Sequence, residues 1–184
     1  MLEAIEEVEL EEGQRVWSDA ENWGGQLPVD GDEVEIPSGW NMLLDIAETP
    51  KLKTLNINGR LSLMRQDMDY HIRAEKIFVR AGEFFIGSEE EPFENNVLIT
   101  LLGDQEVETL KMSTTVDIGN KIIAVTNSLQ FYGKKRTNMS RLLKTVYSGQ
   151  SEIIVEEGTD WAAGDELFLA PTSMQAHHSD YVTI

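Results

Sequence analysis

The feature that most constrains this chain is an alternation of apolar and polar residues that recurs along nearly its whole length. In "DEVEIP" the apolar positions are Val34 and Ile36, and "LNINGRLSL" and "IFVRAGEFFIG" repeat the pattern on both sides of a glycine. Period-two alternation is typical of β-strands that bury one face. The sequence therefore predicts an all-β fold with little helix.

The alternating segments recur at a regular distance. Gly59 and Gly82 lie 23 residues apart, and "IFVRAGEFFIG" at 77–87 aligns with "IAVTNSLQFYG" at 123–133, an offset of 46. A period of roughly 20 to 50 residues is the signature of a solenoid, in which each repeat buries its apolar face against the next. We expect a β-solenoid or β-roll, since an ordinary β-sandwich shares the alternation but not the offset.

A short phrase also occurs twice. "GDEVEIP" begins at Gly31, and "GDELFLAP" begins at Gly164, 133 residues later. The Gly-Asp pair is typical of a tight turn, and the proline ends the following strand because it has no amide to donate to a neighbouring strand. We interpret the phrase as structural, marking the entry into a strand whose apolar residues face inwards.

Composition narrows the classes of function. The 184 residues carry a formal net charge of −18 and no cysteine. The charge disfavours nucleic acid and other polyanions as partners over most of the surface, and without cysteine there are no disulfides, thiolate nucleophiles or cysteine-bound metals. No apolar run is long enough to span a bilayer, so we expect no membrane insertion by this segment.

The two ends of the chain carry different signals. The first residues, "MLEAIEEVELEE", lack the basic start and apolar middle of a secretory signal, so we expect no targeting signal within this segment. The last residues, "DYVTI", have a strand pattern, and a terminal strand without a polar cap leaves an unpaired edge. This pattern predicts that the chain is a fragment and that further coils of the same natural chain follow it.

The stretch "VWSDAENWGGQLPVDGDEVEIPSGWNMLLD", followed by "LKTLNINGRLSL" and "IFVRAGEFFIGSEEEPFENNVLITLLG", resembles the G8 domain, a family named for its eight recurring glycines. The residues that follow resemble the opening of the family's right-handed parallel β-helix. The resemblance implies an acidic segment at 1–14, a G8 domain at 15–125 and the truncated first coils of a β-helix at 126–184. The chain departs from the family pattern at Asn127 and Ser128, where Gly-Gly is usual.

The G8 domain occurs in fibrocystin-type receptors and in cell-surface or secreted hyaluronidases, so the resemblance implies an extracellular or cell-surface location. The hyaluronidases carry an inserted module tied to their activity, and there is no room for it between Thr145 and Gly158. The resemblance therefore implies a non-catalytic module for adhesion or for recognition of a glycan or protein ligand. Two alternatives stay open: part of a hyaluronan-binding or hyaluronan-depolymerising enzyme, and a structural solenoid spacer.

Three tryptophans, Trp17, Trp23 and Trp40, lie in or beside glycine-rich turns. An exposed tryptophan offers a flat face to a sugar ring or to a protein partner, whereas a buried cluster would cap the open end of a solenoid. All three are candidate ligand-binding residues, and Trp40 is the first choice because it follows "PSG".

Residues 134–144, "KKRTNMSRLLK", hold five basic residues and no acid. Lys134, Lys135 and Arg136 are candidates for binding an anionic glycan or an acidic partner; alternatively, the segment pairs with the chain's own acidic residues. Asn138 begins the chain's only Asn-x-Ser/Thr pattern and is the predicted glycosylation position.

No residue pattern predicts a catalytic centre. Glycoside cleavage uses two carboxylates that face each other across the sugar, and Asp30 with Asp32, or Asp67 with Asp69, are the nearest such pairs in the sequence. Both pairs lie in predicted turns, where aspartate commonly accepts hydrogen bonds from nearby backbone amides. The turn interpretation is the favoured one.

No cofactor is expected, although calcium stays open as an alternative. Glu89, Glu90 and Glu91 are weak candidates for a calcium site with loop carbonyls, because the Asp-x-Asp spacing of a dedicated calcium loop is absent. His177 and His178 would point to opposite faces of a predicted strand, so they do not suit one shared metal ion.

Overall fold

The computed structural model describes residues 10–64 and 68–184, and nearly all of their regular structure is β. The described residues form two short 3₁₀ turns, Ala20–Trp23 and Ala176–His178, and twelve strands. The strands are β1 (Gln14–Val16), β2 (Glu33–Ile36), β3 (Asn41–Leu44), β4 (Leu52–Ile57), β5 (Arg60–Leu63), β6 (Tyr70–Val79), β7 (Glu83–Ile86), β8 (Val97–Leu101), β9 (Ile122–Val125), β10 (Ser128–Phe131), β11 (Glu166–Leu169) and β12 (Asp180–Thr183). The all-β prediction is confirmed. Most of the predicted acidic segment 1–14, and Asp67, lie outside the described residues.

Ten of the strands form two parallel sheets. The first sheet has the order β1-β3-β5-β7-β10, and the second has the order β2-β4-β6-β8, with β9 also paired to β6. Consecutive strands from β1 to β8 therefore alternate between the two sheets. No helix among the described residues is long and apolar enough to cross a membrane.

The register of the second sheet places apolar residues of successive strands side by side. Val34 pairs with Leu55, Leu55 with Ile77, and Ile77 with Ile123. The last pair has the offset of 46 residues that the sequence predicted. Because side chains alternate between faces of a strand, the same register keeps the polar residues of these strands on the opposite face.

The first sheet follows the same rule. Met42 pairs with Leu61 and Leu61 with Phe84, and all three side chains are buried. The buried columns of both sheets belong to one apolar cluster, which also includes Trp17 and Tyr70. Removal of this apolar surface from water is the main favourable term in folding such a unit.

The repeated Gly-Asp phrase forms the same turn at both positions. Asp32 Oδ2 accepts a hydrogen bond from the Val29 amide at 2.8 Å, and Asp165 Oδ2 accepts one from the Ala162 amide at 2.8 Å. In both turns the preceding glycine has a positive φ, 91° and 97°. The structural interpretation of the phrase is confirmed, because β2 and β11 begin directly after these turns.

The chain divides into two compact units, the first ending at Lys134 and the second running from Lys135 to Ile184. Within the second unit, β11 and β12 form an antiparallel pair. This pairing differs from the parallel coils expected over 126–184, because the chain reverses direction between the two strands, where it forms the 3₁₀ turn at Ala176–His178. None of the side chains described in the second unit is buried.

Candidate functional site

Trp17 and Trp23 form a cap on the apolar cluster of the first unit. Trp17 is 1% exposed, and its ring centroid lies 4.8 Å from that of Trp23. The Trp23 Nε1 atom donates to the Trp17 carbonyl at 2.7 Å, which fixes the 3₁₀ turn over the cluster. Burial therefore removes Trp17 from the candidate ligand-binding residues, and partly buried Trp23 has the packing of a cap.

Trp40 is partly buried and packs against the same cluster. Its backbone amide donates to the Pro37 carbonyl at 3.1 Å, which closes the "PSGW" turn. The Arg15 guanidinium lies 4.2 Å from the centroid of the Trp40 ring, and Arg15 Nη1 donates to Asn22 Oδ1 at 2.7 Å. A cation of the chain itself therefore stacks on the Trp40 ring.

The basic segment does not act as a single cationic patch. Lys134 and Lys135 are exposed, but Arg136 is paired within the second unit. Its Nε atom lies 3.0 Å from Asp160 Oδ2, and its Nη2 atom lies 2.5 Å from Asp165 Oδ2. Carboxylates of the chain therefore pair with Arg136, which is the alternative interpretation of this segment, and ligand binding by Arg136 stays a prediction.

The two aspartates around Arg136 are held in their ionised form. The backbone amide of Ala162, followed by Arg136, lowers the pKa of Asp165 below its ordinary value. The backbone amide of Thr137 is the largest cause of the lowered pKa of Asp160. Asp160 is exposed and Asp165 is partly exposed, so solvent screens both pairs with Arg136 and each contributes little to stability.

Asn138 lies in an exposed part of the second unit, on the lining of a cavity of about 770 Å³ that also includes Met139 and Phe168. The neighbouring Thr137 carbonyl accepts a hydrogen bond from Trp161 Nε1 at 2.6 Å. Glycosylation of Asn138 stays a prediction.

The acidic loop forms a turn in which Glu89, Glu90 and Glu91 are exposed. The Ser88 amide donates to the Glu91 carbonyl at 2.9 Å, and Ser88 Oγ accepts from the Glu91 amide at 3.0 Å. Across the two described stretches of the chain, no three Asp, Glu or His side chains converge in a way that could hold a metal ion. Calcium at this loop therefore gains no support from the geometry.

The aspartates considered as catalytic pairs cap backbone amides instead. Asp30 Oδ1 accepts from the Lys51 amide at 2.7 Å, and Asp69 Oδ1 accepts from the Asn96 amide at 2.8 Å. Asp32 caps Val29 in the same way. The turn interpretation is confirmed for these three residues, while Asp67 lies outside the described residues.

His177 and His178 are not arranged as the sequence predicted. His177 and His178 lie in a 3₁₀ turn rather than on a strand, with ring centroids 4.4 Å apart. His71 lies on β6, where its Nε2 atom is 2.8 Å from Thr100 Oγ1 and its Nδ1 atom is 3.3 Å from Glu48 Oε1. His177 and His178 thus belong to a local turn, and His71 belongs to a row of surface contacts.

The sequence reasoning missed a groove on the outer face of the first sheet, the face turned away from the apolar cluster. Two adjoining cavities of about 260 and 370 Å³ share Arg60, Phe85, Gly87 and Ser88 in their linings. We call this the outer-face groove. Period-two alternation already placed Arg60 and Phe85 opposite the buried positions, but it did not show that parallel register brings them together.

Comparison with known proteins points to one family. The sequence profile described as "G8 domain" matches residues 22–143. Fibrocystin of Mus musculus is 31% identical over 159 residues, which cover 84% of this chain and 4% of that protein. Fibrocystin-L of Homo sapiens is 33% identical over 160 residues, covering 85% of this chain and 4% of that protein.

More distant similarity extends to Dictyostelium discoideum, where a G8 domain-containing protein is 24% identical over 162 residues, or 83% of this chain and 11% of that protein. The chain spans only about 4% of the length of the fibrocystins that it matches. No solved structure is significantly similar to it.

Proposed function

Because the chain belongs to the G8 domain family, we propose that it is a non-catalytic recognition module of a larger extracellular or cell-surface protein, mediating adhesion or the binding of a glycan or protein ligand. The observation that carries this proposal is the pairing of Arg60 with Phe85 in the outer-face groove, 4.7 Å from guanidinium carbon to ring centroid. A rigid sheet presents both groups to solvent, and sites built on strands hold their geometry better than sites on loops.

The hydrogen bonds made by the candidate catalytic aspartates support a non-catalytic role. Asp30, Asp32 and Asp69 are held by backbone amides, as described above. A glycosidase requires one protonated and one ionised carboxyl on either side of a sugar. These three aspartates accept hydrogen bonds from backbone amides in turns, so ligand recognition without bond cleavage fits their geometry better.

We also propose that the two parallel sheets are successive faces of a β-solenoid. The alternation of β1 to β8 between the sheets and the apolar columns that continue from strand to strand support this fold. In such a fold each repeat covers the previous one, and terminal repeats need a cap.

A second proposed role is that of a structural spacer. It is favoured by a difference in exposure between the inward-facing residues at the two ends of the stacked strands. At β2 the inward-facing Val34 is 4% exposed, whereas Val125 in β9 is 38% exposed and Phe131 in β10 is 43% exposed. The end formed by β9 and β10 is therefore open to coverage, and further β-helix coils of the same natural chain are the proposed partner.

The experiment that tests recognition against catalysis uses the purified chain in two assays. In the first, hyaluronan is incubated with the chain and its length is followed on a gel; we expect no shortening, and shortening would make the non-catalytic assignment wrong. In the second, fluorescently labelled chain is added to cultured cells and to immobilised glycans. Retention on neither surface would contradict the recognition role and leave the spacer role.

A further inference from the structure

We propose that the outer-face groove binds a neutral oligosaccharide lying across the strands of the first sheet. The inference rests on the recognition function proposed above and assigns to it a site and a class of ligand. It does not use Trp17, Trp23 or Trp40, whose rings pack on the apolar cluster.

The parallel register forms the floor of the groove. Ser62 pairs with Phe85, and Phe85 pairs with Gln130, so one row across β5, β7 and β10 presents a hydroxyl, a ring and an amide. Neighbouring strands lie about 4.8 Å apart. This repeat is close to the length of one pyranose unit in an extended glycan, so consecutive sugars can meet consecutive strands.

The groove also holds polar groups whose hydrogen-bonding capacity is unused. Within the described residues, the side chain of Arg60 makes no hydrogen bond or ion pair, and its guanidinium rests on the Phe85 ring. Asn41, which pairs with Arg60 in the register, has a buried Oδ1 atom without a partner. Buried polar atoms are nearly always hydrogen-bonded. The unpaired Oδ1 atom of Asn41 is therefore suited to accept a hydrogen bond from a ligand hydroxyl when the side chain turns towards the groove.

The charged residues that line the outer-face groove favour one class of ligand. Among the described residues, the lining includes the carboxylates of Glu11, Glu89 and Glu90 and one cation, Arg60. The carboxylates repel a polyanion such as hyaluronan, while the guanidinium on the central ring repels a cationic peptide at the same place. A neutral, hydroxyl-rich chain avoids both repulsions, and the guanidinium held on the ring, with the flanking hydroxyl and amide, offers hydrogen-bonding groups to its hydroxyls.

The test measures binding of the full chain to neutral hexasaccharides of glucose, N-acetylglucosamine, mannose and xylose, with hyaluronan oligosaccharides as the anionic comparison. An immobilised panel identifies the binders, and calorimetry measures the Kd. We expect binding to at least one neutral member and none to hyaluronan. Raising the salt concentration is expected to leave the Kd nearly unchanged, since an uncharged ligand releases no counterions.

Variants locate the site. Arg60→Gln and Phe85→Leu remove the guanidinium and the ring while keeping a polar and an apolar side chain at these positions, and each is expected to weaken binding at least about tenfold. Arg80→Gln is the matched control, because Arg80 is an exposed arginine that does not line the groove. Circular dichroism and the Tm show that each variant is folded.

The outcomes separate this inference from the function on which it rests. Neutral glycan binding that survives both groove variants would overturn the site and leave glycan recognition in place. Binding only to hyaluronan, or binding that weakens steeply with salt, would overturn the ligand class. If no member of the panel binds while labelled chain still attaches to cells, the inference is wrong and recognition of a protein ligand stands.

Discussion

Gly82 lies directly against the backbone of Gly59: a Cβ atom on Gly82 would stand 1.9 Å from the Gly59 carbonyl oxygen. A Cβ atom on Gly59 would in turn stand 2.3 Å from the Pro37 carbonyl oxygen. Neither glycine has a positive φ, so close packing of successive turns, rather than backbone conformation, requires glycine at both positions. At the next turn, Asn127 Nδ2 donates to the Gly82 carbonyl at 3.0 Å.

We predict that Gly82→Ala destabilises the first unit by an amount at the upper end of the roughly 1–3 kcal/mol typical of overpacking, because the clash is with backbone that cannot rotate away. Chemical denaturation measures the change. Gly133→Ala is the matched control, since no atom lies within 4 Å of the Cβ position and the φ of Gly133 is not positive. Equal loss in both variants would show that the turns are not stacked in this way.

Two phenylalanines that contact each other in the first sheet are expected to differ in their contribution to stability. Phe84 is 0% exposed, and Phe131, which packs edge to face against it with centroids 5.0 Å apart, is 43% exposed. Phe84→Ala should cost about 3–5 kcal/mol, the usual range for a buried phenylalanine, and Phe131→Ala should cost clearly less. Unfolding in urea, followed by tryptophan fluorescence, measures both. A Phe131→Ala cost as large as that of Phe84→Ala would mean that the end at β10 is already covered.

Stability should fall at alkaline pH because of Tyr70. This residue is 2% exposed and its hydroxyl donates to the Met64 carbonyl at 2.7 Å. Burial, and then the nearby charge of Asp45, raise the pKa of Tyr70 to about 12. Because the pKa is raised in the folded state, the contribution of Tyr70 to stability is complete below the unfolded-state pKa near 10 and is lost as pH rises towards 12, a total of roughly 3 kcal/mol.

The comparison that isolates this effect is Tyr70→Phe. The variant loses the hydrogen bond to Met64 at every pH, so it starts less stable, but its free energy of unfolding should fall less between about pH 10 and pH 12. Denaturant unfolding across that range gives the two slopes. Parallel curves for the two proteins would remove Tyr70 as the cause.

Acid is expected to loosen the second unit. The pKa values of Asp160 and Asp165 are lowered in the folded state, so their contribution is present above the ordinary value of 3.8 and is lost as pH falls through the folded values. The indole N–H of Trp161, bonded to the Thr137 carbonyl, reports this region by NMR. Its signal should shift as the pH is lowered from about 6 to below 3.

Asp165→Asn serves as the control for the acid transition. The amide keeps the shape of the side chain but removes the charge that pairs with Arg136, so the Trp161 signal should already be displaced at neutral pH and should move less on acidification. An indole signal that does not respond to pH in the unmodified chain would contradict the prediction.

Much of the first unit follows from local pattern. The alternation at Val34 and Ile36 predicted β2 with the observed faces, since a strand turns successive side chains to opposite sides. The offset between 77–87 and 123–133 predicted the pairing of Ile77 with Ile123. These predictions succeeded because a parallel stack repeats one local rule, so a short window of sequence contains nearly all the information.

The candidate binding residues were harder to predict, because exposure is decided by packing between distant segments. Trp17 was a candidate for contact with a ligand, yet the turn that carries Trp23 covers it. Arg136 was a candidate for binding anions, yet Asp160 and Asp165 neutralise it from 24 and 29 positions further along the chain. Neither pairing has a local signature.

The sequence by itself determined the strand class, the inward and outward faces of strands such as β2, the repeated Gly-Asp turn and the family to which the chain is similar. Each depends on residues that are close in the chain, through the two-residue period and turn chemistry. Only the tertiary structure decided which exposed residues share a surface. Register between β5, β7 and β10 places Ser62, Phe85 and Gln130 side by side, and folding buries Trp17, because both depend on the stacking of segments that are far apart in sequence.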